Sequence, residues 1–544
     1  MGDTGRRTGG ALILVALCSA ALIINIDVTI VNVTLPSLVR ELGATTTNLQ
    51  WVVDAYSLVF AALILAAGSL SDRFGRKGIL LVGLAIFAVG SLAGSRATTP
   101  EQLIAARAFM GIGAAAIFPS TLSLIANIFT ERRERAKAIG LWGATTGVGV
   151  AIGPIVGGWL LVHFWWGSVF LFMVPVAAVV ATLIGIAVPT SRDPSTPPLD
   201  WRGLVLSTVG MGLIILSIIQ APTWEWLSAR TIGTVLAGLA VMAVFVLVEL
   251  RTPRPMLDVK LFENPRFTAA SGSIMIAFFT LAGFTFLVTQ YFQFVRGYTP
   301  LGTGVRILPV AISIAVAAIV GTRLAVRIGN KAVVGTGLFL FALALFWIAA
   351  AASTSVSYLV LAATMVLGGG GLGLITAPAT EAILGVVPKE KAGVGSAVND
   401  ATRLFGATLG VAVIGSVAAS LYASRLLGTM PPGLPENVVT AAKGSVGGAL
   451  VAAQGLQQAG LPGQALAASA IGAFLHSFSW SLRVAGLVAL GGSILALALL
   501  PSRPGREAEA IVEVDGVKVE VPTVEPLLTM DDVEADRSGR ATPT

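Results

Sequence analysis

Apolar stretches long enough to cross a lipid bilayer recur along this chain almost without a break. A helix needs about 20 residues to span the hydrocarbon core. Such stretches fall near residues 11–35, 50–70, 79–95, 102–127, 137–162, 168–189, 203–221, 231–249, 267–292, 303–322, 332–351, 356–386, 394–422 and 480–500, which predicts fourteen spanning helices. Only 12% of the residues are charged, against roughly a quarter in a soluble domain. Lipid cannot hydrogen-bond a peptide group, so segments held in it fold as helices. The expected fold class is an all-α membrane protein.

The start of the chain mimics a secretory leader, with Arg6 and Arg7 followed by an apolar run from Ala11. That run continues past Asn25 and Asp27 to Leu35 without a small-residue cleavage pattern, so it reads as a first membrane helix that stays attached. Alternate loops differ in their basic residues. One set holds Arg73, Arg76 and Lys77; Arg132, Arg133, Arg135 and Lys137; Arg251, Arg254, Lys260 and Arg266; Arg323, Arg327 and Lys331; and Lys389 and Lys391. The other holds little beyond Arg40, Arg96, Arg230, Arg296, Arg425 and Lys443. Basic loops stay on the cytoplasmic side, which predicts a multi-pass protein of the cell (inner) membrane with both termini in the cytoplasm.

The net charge of +7 is scattered through these short loops, and no basic, aromatic-lined patch suits a nucleic acid. The single Cys18 excludes an internal disulfide and a cysteine-based metal site. His163 and His476 are too far apart in sequence to suggest a metal pair. No metal or other cofactor is expected.

Two segments read as lying outside the membrane. Residues 425–479 form a Gly/Ala-rich outer loop with some helical character, and 501–544 form an acidic tail expected to be mostly unstructured. The Val-Glu-Val-Asp-Gly-Val-Lys-Val run around Asp515-Gly516 also suits a small hairpin. An internal repeat sets the domain plan. Gly111…Pro119-Ser120-Thr121 leads to Glu131, and Gly370…Pro378-Ala379-Thr380 leads to Glu390 at the same spacing. The repeat relates helices 4 and 12, whereas a plain six-plus-six duplication would relate helices 4 and 10. Helices 7 and 8 are therefore read as an insertion. The expected plan is a first six-helix bundle over 1–190, two inserted helices over 191–250, a second bundle over 251–500 and the tail from 501. Transporters that rock two halves about a central site carry such repeats.

Helix 2 exits through Gly68-Ser-Leu-Ser-Asp72-Arg-Phe-Gly75-Arg76-Lys77, a tight turn whose acid and bases can exchange ion pairs as the halves move. Helix 5 carries Gly149-x-x-x-Gly153-Pro154-x-x-Gly157-Gly158. Small residues at this spacing let helices approach backbone to backbone, and the proline favours a conformational hinge.

Together these segments resemble the major facilitator superfamily, specifically its fourteen-helix drug:proton antiporter branch. Gly68–Lys77 resembles the superfamily's signature loop, Leu103–Gly113 with Arg107 its helix-4 motif, and Gly149–Gly158 the helix-5 motif of exporters. Ile26–Pro36, Trp51–Tyr56, Tyr291–Pro300 and Gly393–Gly410 resemble further motifs of the branch, so the likeness covers roughly 11–424. Met173 departs from it, standing where the branch usually has Asn before Val-Pro. The resemblance implies the major facilitator fold, two six-helix bundles plus two inserted helices, and proton-coupled export by alternating access.

Ionisable groups within a membrane are functional candidates by default. Asp27, Asp54 and Arg107 fall at similar depth in helices 1, 2 and 4, where competition for the arginine would couple to proton uptake; the resemblance makes the helix-1 acid the protonation site. A static pair joining Asp27 to Arg107 is the structural alternative. In the second half, Asp400 and Arg403 share one face of helix 13, with Asp400 either a substrate contact or the local partner of Arg403. Glu381 near the end of helix 12 either contacts substrate or reaches to the membrane rim. Asp54 and Tyr56, with Phe286 and Gln290 on helix 9, complete the expected substrate contacts. The helix-9 aromatics Phe278, Phe279, Phe284, Phe286, Tyr291 and Phe292 suit cation stacking, although lipid-facing packing is the more ordinary use of such residues. The expected function is export of small amphipathic or cationic drugs by a monomer, with the drug, protons and lipid as its partners. Export of an endogenous lipid or secondary metabolite is the alternative, and a membrane enzyme is disfavoured because no nucleophile, metal or nucleotide motif appears.

Overall fold

The computed structural model describes residues 2–192, 200–253, 255–386, 392–461, 463–500, 510–514 and 517–521. Its helices are α1 (Gly2–Leu42), α2 (Thr46–Phe74), α3 (Arg76–Ser95), α4 (Pro100–Ile128), α5 (Arg132–His163), α6 (Ser168–Ala187), α7 (Trp201–Trp224), α8 (Ala229–Arg251), α9 (Pro265–Gln290), α10 (Pro300–Ile328), α11 (Asn330–Ala351), α12 (Tyr358–Leu384), α13 (Ala392–Leu427), α14 (Glu436–Gly444), α15 (Val446–Gln458) and α16 (Gly463–Leu499). Fourteen of them, all but α14 and α15, are long and apolar enough to cross a membrane. Hydroxyl and amide residues start many of these helices: Thr45, Thr99, Asn264 and Thr299 each accept a hydrogen bond from a backbone N–H of the first turn. Prolines open α4, α9 and α10, where a missing N–H is harmless. Between α2 and α3 there is no linker beyond Gly75, whose φ of 114° reverses the chain in one residue.

Successive spans alternate in direction, so one end of the bundle carries the start of α1 and the end of α16. We call this the terminal face, and the opposite end, covered by α14 and α15, the loop face. The final span starts at Gly463 rather than near 480. Alanines, serines and glycines over 463–479 dilute the hydropathy, yet Leu466, Ala470 and Ala473 are buried against the protein. The tail holds one antiparallel pair, β1 (Ala510–Val514) and β2 (Val517–Val521), with Val514 opposite Val517. That register leaves two positions for the expected turn, and Asp515 and Gly516 themselves lie outside the described residues, as do Lys389, Glu390, Lys391, Arg254 and most of the tail.

Packing repeats between the two halves. α4 packs on α2 and α3 as α12 packs on α10 and α11; α1 pairs with α5 as α9 pairs with α13; α3 meets α6 as α11 meets α16. The correspondence skips α7 and α8, which pack on one another, with α7 reaching both α2 and α13. The two halves meet along α2–α13 and α5–α10.

That seam is closed toward the loop face. The side-chain amide of Gln50, five residues into α2, donates to the carbonyls of Val411 and Ala412 and to Ser416 Oγ on α13, at 3.2, 2.9 and 3.0 Å. Gln293 donates to the carbonyl of Val33 at 2.9 Å. Gly158 lies against the backbone of Pro300 and Leu301, and Gly304 against that of Pro154, with no room for a Cβ at either glycine. Among the described residues, no hydrogen bond or ion pair joins the halves nearer the terminal face. There Gly140, Gly143 and Gly147 of α5 leave open space around the point where a Cβ would stand, with no described residue within 4 Å of it. Among the described residues, the bundle is thus sealed at the loop face and parted at the terminal face.

Candidate functional site

Between the halves lies a cavity of about 210 Å³. Its wall is mostly aliphatic and aromatic, with Phe60 and Phe118 from the first half and Phe278 and Leu281 from the second. Polar groups come from α1 (Asn25, Thr29, Asn32), α2 (Ser57), α9 (Thr285, Thr289) and α13, which contributes Asp400 and Arg403. These two are the only charged side chains of the wall among the described residues. A mainly apolar chamber with a few fixed polar groups suits a small amphipathic molecule.

Asp400 and Arg403 share the cavity wall, as their spacing on one helical face predicts. Among the described residues, however, no ion pair within 4.0 Å joins them, so the expected local pair is not formed at contact distance. Glu381 is exposed near the end of α12 and does not line the cavity. Phe286 and Gln290 are buried at 0% and 2% exposure, and the Gln290 amide donates to the carbonyl of Phe286 one turn back. Neither reaches the cavity, nor do Asp54 and Tyr56. The six aromatics of the α9 region are not a lipid-facing stripe. Phe284, Phe286, Tyr291 and Phe292 are protein core. Tyr291 stacks on Phe478 of α16 at 5.0 Å, and Phe278 faces the cavity. The helix-helix interfaces claim these rings because α9 is wrapped by α12, α13 and α16.

Behind the cavity, the first half holds a separate charged cluster. Arg107 Nη1 donates to Asp27 Oδ2 at 2.6 Å, with both side chains buried at 1% and 0% exposure. Arg107 Nε donates to the carbonyl of Val52 at 3.1 Å, and its guanidinium carbon sits 4.2 Å from the centre of the Tyr56 ring. The arginine is thereby fixed on three sides by α1 and α2. Asp54 is also fully buried, but neither of its carboxyl oxygens has a hydrogen-bond partner among the described residues. Sequence depth alone brought the three charges to one level; the structure pairs two of them and leaves Asp54 apart.

The motif glycines of α5 are spent on close packing. Gly149, Gly153 and Gly157 abut Asn25, Thr29 and Ile30 of α1, and Thr29 Oγ1 donates to the Gly149 carbonyl at 3.1 Å. α5 runs through Pro154 as one helix, and Pro154 lies on the cavity wall. The turn after α2 bonds within its own half. Arg76 pairs with Asp72 at 2.6 Å and donates to Ser191 Oγ at 3.0 Å, while Lys77 donates to the carbonyl of Gly185 at 2.8 Å. Gly68 faces Pro119 of α4. Met173, the departure from the expected motif, is simply buried core.

Sequence reasoning missed Gln50, whose amide supplies most of the polar bonding across the seam. Its only signal was an amide where the apolar run of α2 begins, between Asn48 and Asp54. It also passed over Asn25, Thr29 and Asn32, which lie on the cavity side of α1 one turn apart.

Comparisons with known proteins agree with this architecture. A sequence profile of the Major Facilitator Superfamily matches residues 17–411. The multidrug efflux pump LfrA of Mycolicibacterium smegmatis is 37% identical over 84% of this chain and 89% of its own length. The methyl viologen resistance protein SmvA of Salmonella typhimurium is 34% identical over 90% of this chain and 97% of its own. Among solved structures, a bacterial homologue of the human lysosomal transporter Spinster, in an inward-facing and unoccupied conformation, superposes with a TM-score of 0.63. It covers 92% of this chain and all of that one, at 17% identity, a likeness of fold. The chain belongs to the Major Facilitator Superfamily and is a multi-pass membrane transporter rather than an enzyme.

Proposed function

We propose that the protein exports small amphipathic cations, in exchange for protons, by alternating access. The observation that carries this reading is the seam cavity itself, an apolar chamber holding one carboxylate, Asp400, that is not engaged in a contact ion pair among the described residues. A lipophilic cation would place its charge at Asp400 and its rings against Phe60, Phe118 and Phe278. The names of two relatives support export of drug-like compounds, LfrA as a multidrug efflux pump and SmvA through resistance to methyl viologen, an organic cation.

The basic-loop asymmetry supports a cytoplasmic terminal face. The conformation is then inward-open, ready to load from the cytoplasm. Proton exchange is assigned to the cluster behind the cavity. Asp27 has a counter-ion in Arg107, whereas an ionised Asp54 would have no partner among the described residues. Isolated buried charge is costly and a proton removes it. α1 carries Asp27 and also lines the cavity through Asn25, Thr29 and Asn32. Substrate arrival that shifts α1 would alter the Asp27–Arg107 contact and so the proton occupancy of the cluster. Gly68, Asp72, Gly75, Arg76 and Lys77 would hold the terminal-face end of the first half as a unit during the rocking, and Gly149, Gly153, Pro154, Gly157 and Gly158 would set how closely α5 can approach α1 and α10. Tyr56 supports Arg107 from beneath, while Phe286 and Gln290 serve packing, and Glu381 sits at the rim.

The decisive experiment measures proton release driven by a lipophilic cation in proteoliposomes, comparing the wild type with Asp27→Asn. The wild type is expected to release protons on substrate addition, and Asp27→Asn to bind the cation without doing so. Equal proton release from both proteins would remove Asp27 from the coupling role. A panel of cationic and neutral compounds with Asp400→Asn should show loss confined to the cations; equal loss of both would make Asp400 structural.

A further inference from the structure

The cavity wall carries a second charged group for which the export of cations has no use. Arg403 has five N–H donors in a fixed fork. Among the described residues it makes one long hydrogen bond, from Nη2 to Thr380 Oγ1 at 3.4 Å. Its Nε is buried without any partner among the described residues. The guanidinium carbon lies 5.2 Å from the centre of the Phe278 ring, which also lines the cavity. The plane is therefore steadied by a ring and a hydroxyl, while most of its donors have no acceptor among the described residues. Asp400 stands one helical turn away on the same wall, and among the described residues no ion pair within 4.0 Å joins the two. Residues at this spacing have Cβ atoms about 5–6 Å apart.

A guanidinium whose donors are unspent in an apolar chamber is under-satisfied until an acceptor arrives. A planar oxyanion can accept two of its N–H groups at once. We propose that Arg403 forms an anion subsite beside Asp400, so that the cavity also takes zwitterionic amphipaths, molecules whose cationic nitrogen meets Asp400 while a carboxylate or comparable anionic oxygen meets Arg403. This inference rests on the reading of the seam cavity as the substrate site. It makes Arg403 a specificity-determining residue. An ester or amide at the same place on the substrate would offer a weaker acceptor, and a second cationic centre there would be repelled.

A matched pair of probes separates the possibilities. Rhodamine B carries a delocalised cation and a free carboxylate, and its ethyl ester keeps the cation and loses the carboxylate. Binding of each is followed by fluorescence anisotropy with the full-length protein in lipid nanodiscs, corrected against empty discs. Arg403→Gln is expected to weaken rhodamine B by about tenfold or more, the scale of a lost charge-assisted hydrogen bond, and to leave the ester unchanged or tighter. Arg403→Lys, which keeps the charge but not the fork, should fall between. Asp400→Asn should weaken both dyes. No effect of Arg403→Gln on either dye, or equal weakening of the two dyes by Arg403→Lys as well as by Arg403→Gln, would overturn the anion subsite and leave the cavity reading standing. If the wild type binds neither dye, the cavity is not the substrate site, and the inference falls with that reading. A folding defect would appear as loss of the ester too, and Arg403→Lys then decides, because a subsite predicts that it recovers the ester fully and the zwitterion only in part.

Discussion

Asp27 and Arg107 meet at 2.6 Å across 80 positions of sequence, fully enclosed by protein, while Asp54 is just as deeply enclosed and bonded to none of the described residues. The two carboxylates of this cluster thus occupy opposite electrostatic situations within one half of the molecule, and they should respond oppositely to substitution.

Removing the cation strands the paired acid. Arg107→Ala should destabilise the protein by about 3–5 kcal/mol, the usual penalty for leaving one member of a buried ion pair alone. Thermal unfolding in detergent, followed by tryptophan fluorescence, measures it. A shift no larger than that of a surface Arg→Ala variant would show that the pair contributes little to the fold.

Asp54 is the reverse case. Asp54→Leu removes a buried group that makes no hydrogen bond to the described residues, so the melting temperature should stay level or rise, by the equivalent of about 1–3 kcal/mol at most. Transport should nevertheless fail if Asp54 belongs to the proton-handling cluster. A stable variant with full transport would relegate Asp54 to a tolerated defect.

Gln50 ties α2 to α13 through three acceptors. Each bond has a net value of about 0.5–1.5 kcal/mol, so Gln50→Ala should shift the equilibrium away from the loop-face-closed state by a few kcal/mol at most. The reporter is a cysteine in place of Asn32 on the cavity wall, labelled with an impermeant maleimide from the loop-face side. Faster labelling in the Gln50→Ala background is expected, and an unchanged rate would mean that backbone packing alone holds the seam.

Gly158→Leu tests that packing. A side chain here collides with the backbone of Pro300 and Leu301, whereas Gly212 of α7 has no described residue within 4 Å of its Cβ direction. Overpacking of this sort costs about 1–3 kcal/mol, all of it in the closed state. The same cysteine should label faster in Gly158→Leu and at the wild-type rate in Gly212→Ala. Identical behaviour of the two variants would contradict the close α5–α10 approach.

What could be read in advance follows from which forces are local. All fourteen spans were legible because bilayer thickness fixes a length and lipid fixes a composition. The repeat between α4 and α12 was legible because the same packing problem is solved twice with Gly and Pro-x-Thr. The start of α16 was not, since its first two turns are buried by α15 rather than by lipid, and a hydropathy average cannot see a protein neighbour. Depth put Asp27 and Arg107 at one level, and their pairing stood in advance only as the static alternative. The isolation of Asp54, the spare donors of Arg403 and the burial of Phe286 and Gln290 were not, because depth gives a height in the membrane and says nothing about the azimuth of a side chain around its helix.

The inserted pair has a mechanical consequence. α7 meets α2 and α13 through Ile215, Ile219, Leu58, Leu409 and Ala412, hydrocarbon groups whose attraction has no preferred direction. The indole of Trp226, just beyond α7, donates to Ser420 Oγ of α13 at 2.9 Å. One neighbour is therefore pinned and the other only greased: the hairpin is moored to the second half, and α2 can slip along it without a single bond among the described residues being broken. Two extra helices laid across a moving joint would ordinarily act as a brake. Bonded among the described residues to the second half alone, they would act as a bearing when the halves rock as proposed.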